Sequence, residues 1–251
     1  MKLIIANWKM NPATTKEAER LVRDAIKVKT NRGVSIVLCP PFVYLPAVKK
    51  ALKAKKNPTL GVQDIFWKGP TGAYTGEISA EIAKNLGVRF AVVGHSERRL
   101  NLAETDEMVA KKAASVISAG LSAVVCVGEP LSVREEGEKM AEAYVMRQLE
   151  AVLTEIPNPD SQKFIIAYEP FWAISTARGR VDCTPQIAVS MMNAIRAFLQ
   201  RRTARRDWNV LYGGSVNPMN AAQYVNLGEG VLVGAASLKA QEFAAIAAAM
   251  K

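Results

Sequence analysis

The strongest constraint in this sequence is an alternation. Short apolar runs of strand length are separated, eight times over, by amphipathic stretches of helical length. The runs are Leu3–Trp8, Ser35–Cys39, Leu60–Gln63, Phe90–Val93, Ala123–Val127, Phe164–Ala167, Asn209–Tyr212 and Val231–Val233. They are nearly continuous rather than alternating in polarity, which is the pattern of strands buried on both faces. A strand that returns through a helix to the next strand belongs to a parallel sheet. Eight such units in 251 residues, about 31 residues each, favour a closed barrel. The expectation is therefore an α/β chain forming a single-domain (β/α)8 barrel over residues 1–251. The competing architecture is an open, doubly wound sheet, but no G-x-G-x-x-G follows the first run.

Local signals support the helices. Thr14 and Glu17 form a T-x-x-E capping box opening a helix to about Lys29. Thr184-Pro185 reads as N-cap plus N1 proline for a helix to about Arg201, and Asn217-Pro218 repeats that signal for a short one. Further helices are expected over Tyr44–Lys53, Ser79–Asn85, Thr105–Ala119, Lys139–Leu153 and about Gln241–Met250. The polar, Gly-rich stretch Asp64–Glu77 is too long for a plain connection.

Composition removes several classes. With 49% hydrophobic and 22% charged residues the chain is neither disordered nor fibrous. No apolar run approaches the roughly 18 residues of a membrane helix, and the N-terminus lacks the form of a signal peptide. A cytoplasmic location is expected. Cys39, Cys126 and Cys183 form no metal or disulfide spacing, and His95 is the only histidine. The net charge of +10 is lopsided: residues 1–56 hold 13 Lys/Arg against 3 Asp/Glu, and the rest is neutral. Such a surplus suits a nucleic acid, an anionic membrane or a phosphorylated metabolite. A solvated face accounts for it more simply, because the cations fall at helix ends and turns. A nucleic-acid binder would need stacking aromatics among them, and only Trp8, Phe42 and Tyr44 occur there.

In such a barrel, chemistry belongs at the C-terminal ends of the strands. Just past the runs lie Asn7 and Lys9, then His95, Ser96 and Glu97, then Glu169, then Gly213-Gly214-Ser215, and last Gly234-Ala235. One cation, one imidazole, one carboxylate and two small-residue loops thus face one rim. Small-residue loops with N–H groups at a helix start suit a phosphate. His95, at the start of a short helix, is expected to be a neutral imidazole. Glu169, covered by Pro170-Phe171-Trp172, is a candidate general base, and Lys9 could neutralise an oxyanion.

These stretches resemble the triosephosphate isomerase family across essentially the whole chain. The matching segments are Ala6–Asn11, Gly76–Ser79, Val93–Arg99, Cys126–Glu129, Ala167–Pro170, Tyr212–Val216 and Leu232–Gly234. The resemblance implies a TIM barrel that interconverts dihydroxyacetone phosphate and glyceraldehyde 3-phosphate without metal or organic cofactor. It assigns Glu169 as the base, neutral His95 as the electrophile, Lys9 and Asn7 as substrate contacts, and Glu97 as the partner of Lys9. Phosphate would lie on Ser175, Gly213, Gly214, Ser215, Gly234 and Ala235. It further implies a homodimer through loop 64–77 with Thr75 at its tip, and no nucleic-acid or membrane partner. The segment after the sixth strand departs from the family pattern. Ser175 and Ala177 stand where glycines are usual, the hinge is about three residues longer, and Ala235 replaces a further glycine. Weaker lid closure is the expectation, and a catalytically weakened phosphate-binding homologue is the alternative.

Overall fold

In a computed structural model, residues 2–53, 55–174, 177, 179 and 181–250 are described. Eight parallel strands close into a barrel in sequence order. They are β1 (Lys2–Asn7), β2 (Val34–Cys39), β3 (Thr59–Val62), β4 (Phe90–Val93), β5 (Ser122–Val127), β6 (Phe164–Tyr168), β7 (Val210–Tyr212) and β8 (Gly230–Val233). Closure is explicit in the pairing of β1. Ile4 lies beside Ile36 of β2 on one side and Val231 of β8 on the other. The open doubly wound alternative is thereby excluded.

The continuous apolar runs have a direct cause. In β1 the side chains of Leu3 and Ile5 point into the barrel, where they pack with Val37, Val92, Val124 and Leu232. Ile4 and Ala6 point outward to the helices and join the larger cluster there. Successive strand residues face opposite sides, so two apolar layers demand a run without polar gaps. The interior is tight: a Cβ on Gly61 would sit 2.6 Å from Cys39 Sγ.

Helix starts follow the sequence signals. Thr14 accepts a hydrogen bond from Glu17 N, and its hydroxyl donates to Glu17 Oε2 at 3.0 Å. Thr184 caps the helix Pro185–Arg202 through Ile187 N. Asn217 behaves differently from expectation. Its side chain accepts from Met219 N and Asn220 N, closing a turn, and the helix itself begins only at Ala221. The short helix Leu131–Glu135 and the 3-10 turns Phe42–Tyr44 and Ala235–Leu238 were not anticipated. Each is too short for a periodic signal. Among the described residues no helix is long and apolar enough to cross a membrane.

Candidate active site

β1 ends in Asn7, and the chain then turns so sharply that Lys9 takes a positive φ of 53°. That region disfavours residues that carry a Cβ, which glycine lacks. Two amides hold it there. Asn7 Oδ1 accepts from Lys9 N at 2.9 Å, and Gln63 Nε2, from the end of β3, donates to Lys9 O at 2.8 Å. The lysine is thereby aimed into the barrel mouth, where its Nζ meets Glu97 Oε1 at 2.6 Å. Gln63 was missed by the sequence reading, which closed the third strand on it as another strand residue.

His95 precedes the helix Ser96–Leu102. Glu97 N donates to His95 Nδ1 at 3.2 Å. A backbone N–H can only donate, so Nδ1 presents its lone pair and the imidazole is the neutral Nε2–H tautomer. Nε2 then points to Glu169 Oε1 at 2.9 Å, while the other carboxylate oxygen accepts from Ser96 N at 2.9 Å. Glu169 is 1% exposed. Both of its oxygens are thus engaged, one by the electrophile candidate and one by a helix-start amide. The turn before His95 is pinned by Arg99, which donates to Gly94 O and pairs with Asp106 at 2.6 Å.

The position of Glu169 is fixed from behind by backbone. A Cβ on Gly128 would fall 1.9 Å from Glu169 O, a distance no side chain can occupy. Next to it, Glu129 is fully buried. Its Oε1 accepts from Tyr168 Oη at 3.1 Å and from Trp172 Nε1 at 3.0 Å. Trp172, expected to cover Glu169, therefore anchors the start of the following segment to β5. Burial pushes the Glu129 carboxyl above its ordinary range, against the opposing pull of the Trp172 and Tyr168 hydrogen bonds. A carboxyl raised by folding contributes most below its unfolded range, and that contribution is lost as pH rises through the raised value. Glu129→Gln should therefore gain stability relative to the parent as pH rises above the ordinary carboxylate value of about 4. Thermal unfolding of both proteins across that range checks this, and parallel curves would contradict it.

The two small-residue loops complete the mouth. One cavity of about 230 Å³ is lined by Asn7, Lys9, His95, Glu169, Gly213, Gly214, Ser215, Gly234 and Ala235. Leu232 and Ile174 add apolar wall that the sequence reading had not assigned to the site. Glu97 lies in the adjoining groove with Lys9 and His95. Ser175 falls outside the described residues, as do Thr176, Arg178 and Arg180. Of the unusual lid residues, Ala177 donates its N–H to Ile174 O at 3.1 Å. Among the described residues of this stretch, Gly179 takes a positive φ of 63°, which glycine tolerates. Ala235 opens the 3-10 turn after β8. The Ser215 amide donates to Ala173 O at 3.3 Å, joining the loop after β7 to the lid's base.

A buried ionic quartet behind the mouth was also missed. Lys112 Nζ meets both oxygens of Asp64 at 2.8 Å and pairs with Glu104. Arg98 completes it, 2.9 Å from Asp64 and 3.4 Å from Glu104. Burial pushes the Asp64 carboxyl up, with Lys112 opposing. A signal existed: Lys112 sits among Val109, Ala113 and Val116 on the apolar face of its helix.

A parallel eight-stranded barrel with a neutral imidazole, a buried carboxylate and an ammonium at one mouth defines an acid–base enzyme class. Comparison with known proteins specifies it. The family model for triosephosphate isomerase matches residues 2–250. A triosephosphate isomerase of Caldanaerobacter subterraneus is 43% identical over 249 residues, covering 97% of each chain. The Thermus thermophilus triosephosphate isomerase is 40% identical, covering 97% of this chain and 96% of its own. This chain belongs to the triosephosphate isomerase family and is an isomerase.

Proposed function

We propose that this chain, acting as one domain, interconverts dihydroxyacetone phosphate and glyceraldehyde 3-phosphate. The observation that carries the reading is the 2.9 Å approach of Glu169 to His95 Nε2 in one small cavity with Lys9. Glu169 removes a proton from the carbon beside the substrate carbonyl and returns it to the neighbouring carbon. His95, neutral, donates from Nε2 to the carbonyl oxygen and moves protons between the two enediolate oxygens. Lys9 offsets the developing negative charge, and its tie to Glu97 keeps the ammonium in the mouth. Asn7 spends its oxygen on the Lys9 amide, which leaves its NH2 group for substrate. The phosphate lies against the loops Gly213–Ser215 and Gly234–Ala235, with Ser175 contributing from the lid. Every step is a proton transfer, so no cofactor enters. A cytoplasmic location is part of this reading, as are the absence of nucleic-acid and membrane partners. No observation favours the weakened homologue.

A coupled assay on the purified protein tests this. Turnover of both triose phosphates, competitively inhibited by a phosphate-bearing enediolate analogue, is expected. A folded protein inert toward both would overturn the reading.

The chain acts as a homodimer through loop 64–77. The loop is organised rather than loose: Phe66 packs against Trp67 and Tyr74 with ring centroids 4.3 and 4.8 Å away. Ser79 Oγ donates to Pro70 O at 2.7 Å, and residues 71–77 project into solvent. Beside the site lies a groove of about 900 Å³ whose walls include Met10, Phe42, Leu100 and Leu102. Met10 is 94% exposed. A second copy inserting this loop would cover that apolar surface and seal the groove that holds Lys9, His95 and Glu97. Thr75→Glu should weaken association by about tenfold or more, seen as a shift to monomer in sedimentation together with falling activity. An unaltered dimer would remove the tip from the interface.

A further inference from the structure

At the other end of the barrel, away from the catalytic mouth, the strand beginnings line a second, open cavity of about 720 Å³. Its floor carries Ser35, Thr59, Phe90 and Ser122, the first or second residues of β2 to β5. Six cations line it: Lys49, Lys53, Lys55, Lys56, Arg89 and Lys163. Among the described residues no carboxylate does. Among the described residues, none of the six forms an ion pair with an acid. Lys163 Nζ donates to Gly120 O at 2.7 Å. Four of the six come from the basic N-terminal quarter of the sequence. Arg89 and Lys163 arrive from distant segments, so the fold concentrates charge that the sequence only half shows.

Helix ends explain part of this. Three helices finish here, at Leu52, Asn85 and Ser118, and cations suit helix C-termini. That account needs about one cation per helix and leaves the rest repelling one another. A cavity of this volume is about 9 Å across, close to one Debye length at physiological ionic strength, so their fields add. All six cations are solvent-exposed, yet they line one concavity, whose wall also holds the apolar Leu52, Pro58, Leu60 and Phe90 beside Ser35, Thr59 and Ser122. Cationic groups around an apolar slot of this size are the features of a small-molecule pocket.

We propose that this N-terminal cavity binds an organic polyphosphate of the nucleoside di- or triphosphate class. The phosphates engage Lys53, Lys55, Lys56 and Arg89, and the uncharged part lies on Leu60 and Phe90. The cavity has about three times the volume of the catalytic one, too large for a triose phosphate to fill. It offers a single aromatic ring, Phe90, whereas a nucleic-acid strand needs several stacking rings.

Isothermal titration of the purified protein with adenosine triphosphate, and separately with inorganic tripolyphosphate, tests the assignment. Saturable binding of the nucleotide that weakens with added salt is expected, with tripolyphosphate weaker by about tenfold for lack of the apolar contact. Lys53→Gln combined with Lys56→Gln should weaken nucleotide binding by about tenfold or more, with kcat/KM on triose phosphate unchanged. Lys9→Met, which disables the catalytic mouth, should leave nucleotide binding intact. Loss in Lys9→Met with retention in the double variant would place the nucleotide in the catalytic site and overturn the proposal. So would absence of binding up to about millimolar nucleotide, equal affinity for tripolyphosphate, or capture of long single-stranded RNA that the nucleotide does not displace.

Discussion

Glu169→Gln should lower kcat by about 10²- to 10⁴-fold, the range that a positioned proton-transfer group contributes. KM should change little, and thermal stability should fall modestly, by about 1–3 kcal/mol, for the donors left opposed in the buried site. The amide oxygen can still accept from Ser96 N, so the side chain keeps its seat. What it loses is the ability to take a proton from carbon. The substituted NH2 would also face His95 Nε2–H, donor against donor, because Nδ1 is already committed to Glu97 N. The imidazole cannot flip its tautomer without breaking that bond. Steady-state kinetics beside thermal unfolding give the answer. Retention of more than about a tenth of parental kcat would remove Glu169 from the role of base.

The largest effect on stability is expected at a residue with no chemical role. Lys112→Met should cost about 3–5 kcal/mol, the usual consequence of stranding buried charge. Asp64 and Glu104 would be left with Arg98 as their only cation, and Glu104 Oε2 already lacks a hydrogen-bond partner in the buried interior. Asp64→Asn in the same chain should recover part of the loss, because the two changes act on one network and cannot add. Urea denaturation at neutral pH measures both. A cost near that of an ordinary surface change, below about 0.5 kcal/mol, would show that water or rearrangement compensates. The quartet joins the start of loop 64–77 to the helix that follows His95, so its loss should also weaken the proposed dimer.

The barrel was legible because its cause is local and repeated. Each strand must satisfy an inner and an outer apolar layer, and that requirement writes the same run eight times. The reactive side chains were legible for a related reason: they follow the strands within two residues, as Lys9, His95 and Glu169 do. Groups that act across the sequence were not. Gln63, Glu129 and the Asp64–Lys112 quartet draw their meaning from partners tens of residues away, and a lone Gln or Glu at a strand end carries no period. Asn217 shows another limit. Asn-Pro announces a turn and a helix with the same letters, and here the Asn217 side chain closes a local turn through Met219 N and Asn220 N that delays the helix to Ala221. The basic N-terminal quarter, read as a solvated face, gains its second half from Arg89 and Lys163, which no running count of charge brings near it.

The single N–H of Ser215 now spans from the loop after β7 to the Ala173 carbonyl. An anion that recruits that hydrogen does so at the expense of the tie. Thermodynamic reciprocity then follows: the grip on ligand and the freedom of the lid's root become two readings of one equilibrium. Any substitution that tightens the Ala173 contact should weaken substrate binding, even though it touches no part of the ligand.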